Sequence, residues 1–238
     1  MDLKEIIYKR KSVRKYKPIK VDEQTLAKIL EFCKNIKPLF PDIKVKTEIT
    51  EKQNVRCILP WKTEQVITIF SQNKTGYLEN VGFMFQQVDL YLQSIGLGSC
   101  WLGMGSLKNY TQDGEYEFVI MLAFGIPDEP ITRESVIEFK RKSLEEISDK
   151  LDDRLECARL APSAINSQPW YFVHEGEVIH AYQKDNVFKR LILSKKNQID
   201  MGIALAHIYL ENENTFEFFK VENPKEIKGA KYTGSFKI

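Results

Sequence analysis

Residues 161–170 read Ala-Pro-Ser-Ala-Ile-Asn-Ser-Gln-Pro-Trp, between an amphipathic helical pattern and the aromatic run Tyr171-Phe172-Val173. Pro162 stops the preceding helix, because proline disfavours helical geometry at the residue before it. Ser163, Asn166, Ser167 and Gln168 then present hydroxyls and amides without any charge. Neutral donors and acceptors flanked by apolar residues suit an uncharged polar ring, the first orienting it and the second filling space. Ser and Asn are also ordinary turn residues, so the loop gains meaning only from three other stretches.

The first is Lys9-Arg10-Lys11-Ser12-Val13-Arg14-Lys15, with Pro18 closing the segment. It follows a short helix expected from about residue 3, where Asp2 and Glu5 have capping-box spacing. Extended backbone after Lys11 would point Ser12 and Arg14 the same way. Guanidinium groups grip phosphate by paired, charge-assisted hydrogen bonds, and a hydroxyl adds a donor. The second is Gly96-Leu97-Gly98-Ser99-Cys100-Trp101-Leu102-Gly103, a glycine-rich loop after an apolar helix expected from about Asn80. Its spacing is not that of a dinucleotide fingerprint. Its glycines permit either helix capping or close backbone approach to a ligand. The third is Phe139-Lys140-Arg141-Lys142, before the capping-box pair Ser143 and Glu146. A helix N-terminus there favours anions. Alone, each basic run reads first as a solvated face.

Elsewhere the pattern predicts a helix from Asp22, strands at 43–49, 65–70 and 118–124, and helical character from Leu144 to Ala158. It also predicts a hairpin of 170–173 with 178–182, an apolar helix over 199–210, and a last strand at 216–221 before a polar tail. A weak internal repeat runs through this order. Leu30-Glu31-Phe32-Cys33 parallels Leu155-Glu156-Cys157-Ala158, and Asn80-Val81-Gly82 parallels Asp200-Met201-Gly202. The expected division is 1–145 and 146–238, two halves intertwined in one globular unit.

With 35 basic and 33 acidic residues, a net charge of +2 gives no case for nucleic acid. Four scattered cysteines without a C-x-x-C pair point to reduced thiols, and three histidines lack metal-site spacing. No signal-peptide core and no apolar run of spanning length is found. The expectation is a soluble, cytoplasmic protein with no metal and no membrane partner.

Together the stretches resemble the FMN-dependent nitroreductase family. Arg10-Lys11-Ser12-Val13-Arg14-Lys15-Tyr16 is similar to its opening motif, 96–103 to its loop beside the flavin ring, and Arg141-Lys142-Ser143-Leu144-Glu145-Glu146 to its closing basic segment. The loop Pro162-Ser163-Ala164-x-Asn166-x-Gln168-Pro169-Trp170 resembles its most specific signature. The order is that of a divergent branch joining two nitroreductase-like halves in one chain, and Phe139 stands where many relatives place a lysine. The resemblance implies an α+β nitroreductase-like fold with mainly antiparallel sheets and buried central helices. It implies FMN held by Arg10, Lys11, Ser12, Arg14 and Arg141 from the first half. Backbone of Cys100, Trp101, Leu102 and Gly103 would lie beside the ring, with Pro162, Ser163, Ala164, Asn166 and Gln168 supplied by the second half. NADH or NADPH would reduce the flavin and a small-molecule electron acceptor would follow, in a pseudo-dimeric monomer with one flavin site, a homodimer being the alternative. A flavin-binding protein without turnover, a flavin-modifying enzyme and a relative without cofactor stand as alternatives.

Overall fold

The computed structural model describes residues 2–57, 63–112, 114–184 and 190–238. The chain opens with α1 (Leu3–Ile7), capped by Asp2, and α2 (Glu23–Asn35), whose N-terminal amide at Thr25 is capped by Asp22. β1 (Val45–Glu51), β2 (Val55–Cys57) and β3 (Gln65–Gln72) follow, then the long helix α3 (Tyr77–Ser94). β3 is buried on both faces and α3 almost all round, each mainly apolar with interspersed polar residues such as Thr68, Asn80 and Gln86 that are buried as well. β4 (Gly98–Leu102), β5 (Gly105–Leu107) and β6 (Tyr116–Gly125) complete one antiparallel sheet of order β1-β3-β6-β4 and a small β2-β5 pair.

Two four-residue helices come next, α4 (Leu144–Ile147) and α5 (Glu156–Arg159). The apolar series from Leu144 to Ala158 therefore does not form one helix. After the Ser143–Glu146 capping box, Ser148 leaves helical geometry to bridge Phe172, and Asp152 caps a separate single turn. Ser and Asp compete with helix by bonding nearby backbone. β7 (Trp170–Glu175) and β8 (Val178–Lys184) form the expected hairpin, turned at Gly176 with φ +59°. Then come α6 (Arg190–Glu211), β9 (Glu217–Phe219) and β10 (Ala230–Lys237).

Two expectations fail here. The segment 216–221 supplies only the short β9, and the tail expected to be polar contains β10, central in the sheet β7-β8-β10-β9. β10 reads Ala-Lys-Tyr-Thr-Gly-Ser-Phe-Lys, where Phe236 is the one large residue wholly buried, so pairing with β8 decides its state. Likewise Gly98–Leu102 is not a loop but a strand on β6.

The two sheets share one strand order, and each has its long helix between its second and third strands in chain order. α3 and α6 pack together in the common core. A Cβ on Gly82 would lie 2.0 Å from the carbonyl oxygen of Ile199, and one on Gly202 would lie 1.9 Å from that of Glu79. The crossing is thus reciprocal, each helix presenting a glycine to the other's backbone. No described helix is long and apolar enough to cross a membrane.

Candidate functional site

The cleft forms where residues 12–14, the edge strand β4, the loop 162–165 and one face of α6 converge, and it encloses about 840 Å³, counting the space open at its mouth. Ser12 and Arg14 line it while Val13, between them, is fully buried. This is the alternation expected of extended chain. The Val13 amide donates to the Ser99 carbonyl at 2.9 Å. In an antiparallel strand a residue's N–H and C=O face the same side, so Trp101 also turns its backbone toward this open edge. Cys100 and Leu102 spend theirs on β6. Cys100, Trp101 and Gly103 line the cleft, whereas Leu102 packs with Val13, Tyr16 and Met121 behind the sheet. The backbone expected from the whole of 100–103 narrows to Trp101 and Gly103.

The glycines divide in the same way. Gly96, at φ +83°, ends α3, and a Cβ on Gly98 would strike the Val13 side chain at 2.7 Å. Neither glycine's freedom serves a ligand.

Next to the cleft, reaching Ser12 and Asn166, three further guanidinium groups gather, while Arg14 is the arginine that lines it. Arg10, 1% exposed, lies with Nε 3.0 Å from Oδ2 of the fully buried Asp89, misaligned for a hydrogen bond, and donates to Ser12 Oγ at 3.1 Å. Arg133 donates to the Arg10 carbonyl and stacks 4.2 Å from the Phe139 ring centre. Arg141 flanks the same ring at 5.8 Å and donates to the Phe139 carbonyl and to Asn166 Oδ1. Burial lowers the Arg133 pKa to about 10, helped by the charge of Arg10. Burial lowers that of Arg141 to about 9, with Arg10 and Arg133 adding to the effect. Arg141 Nε is buried without a hydrogen-bond partner among the described residues. Crowded cations with an orphaned buried donor fit an anion such as a phosphate dianion. Arg133 was missed in the sequence, where it is a lone charge in a polar link. Phe139, where a lysine was the family expectation, is a buried platform against which two arginines stack.

The opposite wall is the signature loop. Pro162, Ser163 and Ala164 line the cleft, and Ile165 stands 68% exposed at it. Ile165, Asn166 and Gln168 all have positive φ, at 49°, 58° and 47°. Such strain persists only where the surroundings over-determine it, commonly at functional sites. Here Ser163 Oγ accepts from the Gln168 amide at 2.9 Å, Gln168 Oε1 accepts from the Lys142 amide at 2.8 Å, and Asn166 donates to the Lys140 carbonyl at 3.1 Å. Asn166 and Gln168 thus lock the loop to the basic segment instead of lining the cleft. Lys11 is held through its backbone by Gln93 and lines nothing.

The floor is the α6 face bearing Lys196, Ile199, Asp200 and Ile203, joined by Ile120 of β6. Spacing of i, i+3, i+4 and i+7 marks one helical face and was the signal available for these residues. Asp200 is 3% exposed, and its two oxygens share the Ala164 amide at 3.2 and 3.1 Å. Burial raises its pKa to about 8. An apolar slot beside clustered cations and a neutral polar loop suits an aromatic ring that carries an anionic group.

A model of the family described as "Putative TM nitroreductase" matches residues 2–212. The crystal structure of a "putative nitroreductase" from Thermotoga maritima superposes with a TM-score of 0.64 at 21% identity, covering 99% of this chain and 92% of that one. A nitroreductase family protein from Clostridium difficile 630 gives 0.51 at 16% identity over 62% of this chain and 96% of its own. Among curated proteins none matches. With its family match spanning most of its length, the chain belongs to this nitroreductase family and has its α+β fold of buried helices and antiparallel sheets.

Proposed function

We propose that the protein is an FMN-dependent oxidoreductase, in which NADH or NADPH delivers electrons to the flavin and a small-molecule acceptor collects them. One observation carries the reading: Ser12 and Arg14 line an apolar cleft walled by the uncharged loop 162–165, and Arg10, Arg133 and Arg141 crowd together next to it, Arg141 with an orphaned buried donor. When bound, FMN supplies the hydride and electron chemistry.

The chain's own residues bind, orient and shield. Ser12 and Arg14, which line the cleft, would hold the phosphate, with Arg133 and Arg141 adding positive charge beside them and the buried Arg10, set by Asp89, supporting Ser12 from behind. Backbone at Trp101, on the edge of β4 turned away from β6, and at Gly103, just beyond that strand, would face the polar rim of the ring. Pro162, Ser163 and Ala164 would cover one ring face, while Ile199 and Ile203 would exclude water from the slot. Asn166 and Gln168 fix the loop against the phosphate end. Because the grip comes from 10–141 and the cover from 162–166, the site is composite, and the chain is read as two fused nitroreductase-like halves, 1–145 and 146–238.

FMN titration of the purified chain, followed by flavin fluorescence, tests this. The unmodified chain binds. Arg14→Ala and Asn166→Ala each weaken binding about 10- to 100-fold, the worth of a lost charge-assisted contact, with unchanged circular dichroism. Anaerobic NADH or NADPH then bleaches the bound flavin. Absence of FMN binding by the unmodified chain overturns the proposal, and binding without bleaching removes turnover.

A further inference from the structure

Asp200 is a charged-type side chain in the least favourable place for one, and its counterpart in the other half shows that structure does not demand it. Asn80 stands two residues before Gly82 as Asp200 stands two before Gly202. The Asn80 Oδ1 accepts from the amides of Leu39 and Phe40, each at 2.9 Å, and so anchors the loop that follows α2. Asp200 does the same for the loop that follows α5, through Ala164. A neutral amide oxygen suffices for that duty. A carboxyl at 200 adds a proton, and the desolvation that accompanies it raises its pKa to about 8.

We propose that Asp200 is the proton donor of the cleft, supplying the proton that accompanies two-electron reduction of the acceptor. This rests on the oxidoreductase reading above. The acceptor gains a hydride, two electrons and one proton originating in NAD(P)H, and is left an anion at oxygen or nitrogen. The Asp200 O–H bond breaks, its proton forms the new O–H or N–H bond, and the resulting carboxylate recovers a proton from water. The sum is NAD(P)H, one proton and acceptor giving NAD(P)+ and the reduced acceptor.

The neighbours leave this duty to Asp200. The loop 163–167 carries no titratable side chain. Cys100, facing the cleft from β4, has its thiol pushed up to about 11 by burial. Arg14, from the N-terminal segment, is a fixed cation, and Arg141 lies behind Asn166. Lys196, one turn earlier on α6, favours the carboxylate and opposes the burial effect.

Asp200→Asn keeps the acceptor for Ala164, as Asn80 does in the other half, and removes the proton. Two readouts test the role. In the cofactor-free chain, infrared difference spectra against Asp200→Asn show a protonated carboxyl stretch at pH 7 that disappears between pH 7 and 9; the subtraction removes Glu79, the other buried acid whose pKa burial raises. FMN affinity of Asp200→Asn is titrated alongside, so that parent and variant rates are compared at equal flavin occupancy. Stopped-flow oxidation of the reduced holoprotein by p-benzoquinone is slowed at least ~100-fold at pH 7, the usual weight of a positioned acid. The parent rate falls above pH 8, the variant's is flat, and Asp200→Glu recovers part of the rate. No carboxyl band at pH 7, or equal rates and pH profiles in parent and variant, overturns the inference alone. Failure of the parent to bind FMN overturns the functional reading and the inference with it.

Discussion

At Ile165 a β-branched side chain sits at φ +49°, 68% exposed, on the rim of the cleft. Left-handed backbone costs such a residue roughly 1–2 kcal/mol, and its exposure offers little burial in return. Glycine adopts this conformation freely but loses more chain entropy on folding, about 0.5–1 kcal/mol. Ile165→Gly is therefore expected to leave stability unchanged or raise it by up to about 1 kcal/mol in urea denaturation, while weakening ligand binding in the cleft. A clear loss of stability would show that the side chain is held by packing that its exposure denies. This is also where sequence legibility is uneven. Ser12, Arg14 and Ser163 were readable because alternation around Val13 and the proline before Ser163 fix their direction. Arg133 and Asp200 were not, because a single charge in a polar link or on a helix looks solvated until tertiary packing buries it. Asp200 has a further consequence. Its pKa is raised from 3.8 to about 8 in the fold, so the folded chain binds more protons than the unfolded chain between those values. Its contribution to stability is complete at low pH and is lost as pH climbs through 8. Asp200→Asn removes that loss, and thermal melts at pH 9 and 6 should show the variant gaining on the parent at the higher pH.

Helices α3 and α6 show how one missing side chain can set the geometry of an element pair. The nearest atoms to a Cβ at Gly82 or Gly202 belong to the facing backbone, at 2.0 and 1.9 Å. No rotamer change relieves such a clash, so the helices must part and the buried contacts along them loosen. Gly82→Ala and Gly202→Ala are each expected to destabilise by about 2–3 kcal/mol, lowering Tm by roughly 5–10 °C for a chain of this size. The two sites share one crossing, so helices already spread by the first alanine accommodate the second, and the double variant should cost less than the sum. Additive losses in calorimetry would mean that the two glycines act independently. Periodicity made these helices legible, together with β3, β6 and the β7–β8 hairpin, because long apolar runs and a Gly turn are local signals. β4 and β10 were not legible as strands. Glycines mask the first, and small and polar residues mask the second. Each gains its state from a long-range partner, β6 and β8 respectively.

Across the whole molecule the shared strand order and the reciprocal crossing relate two halves that differ at the position of the site. Where the second half places Ala164 beside open space, the first half has Phe40, held by Asn80 as Ala164 is held by Asp200. The Phe40 ring lies against Gly76 and meets Phe218 of β9 edge-on, with centroids 5.6 Å apart, while Phe218 presses on Gly234. Aromatic rings thus occupy the ground that the cleft keeps open on the other side, and no second run of arginines accompanies them in the sequence. On the proposed reading of two fused halves sharing one site, we expect one FMN per chain and a particle that remains monomeric at 27.8 kDa. Isothermal titration and light scattering read both numbers. Phe40→Ala and Phe218→Ala sharpen the test, since together they open the plugged side at a cost of about 2–3 kcal/mol each, toward the low end for a truncated aromatic because both rings are partly exposed. Lys220 lies 5.7 Å from the Phe40 ring centre, but no run of arginines accompanies it to grip a phosphate, so the stoichiometry should stay at one. A second equivalent bound by the parent would refute the single-site reading. A second equivalent bound only by the double variant would mean that steric filling, and not the absent arginines, is what closes that half.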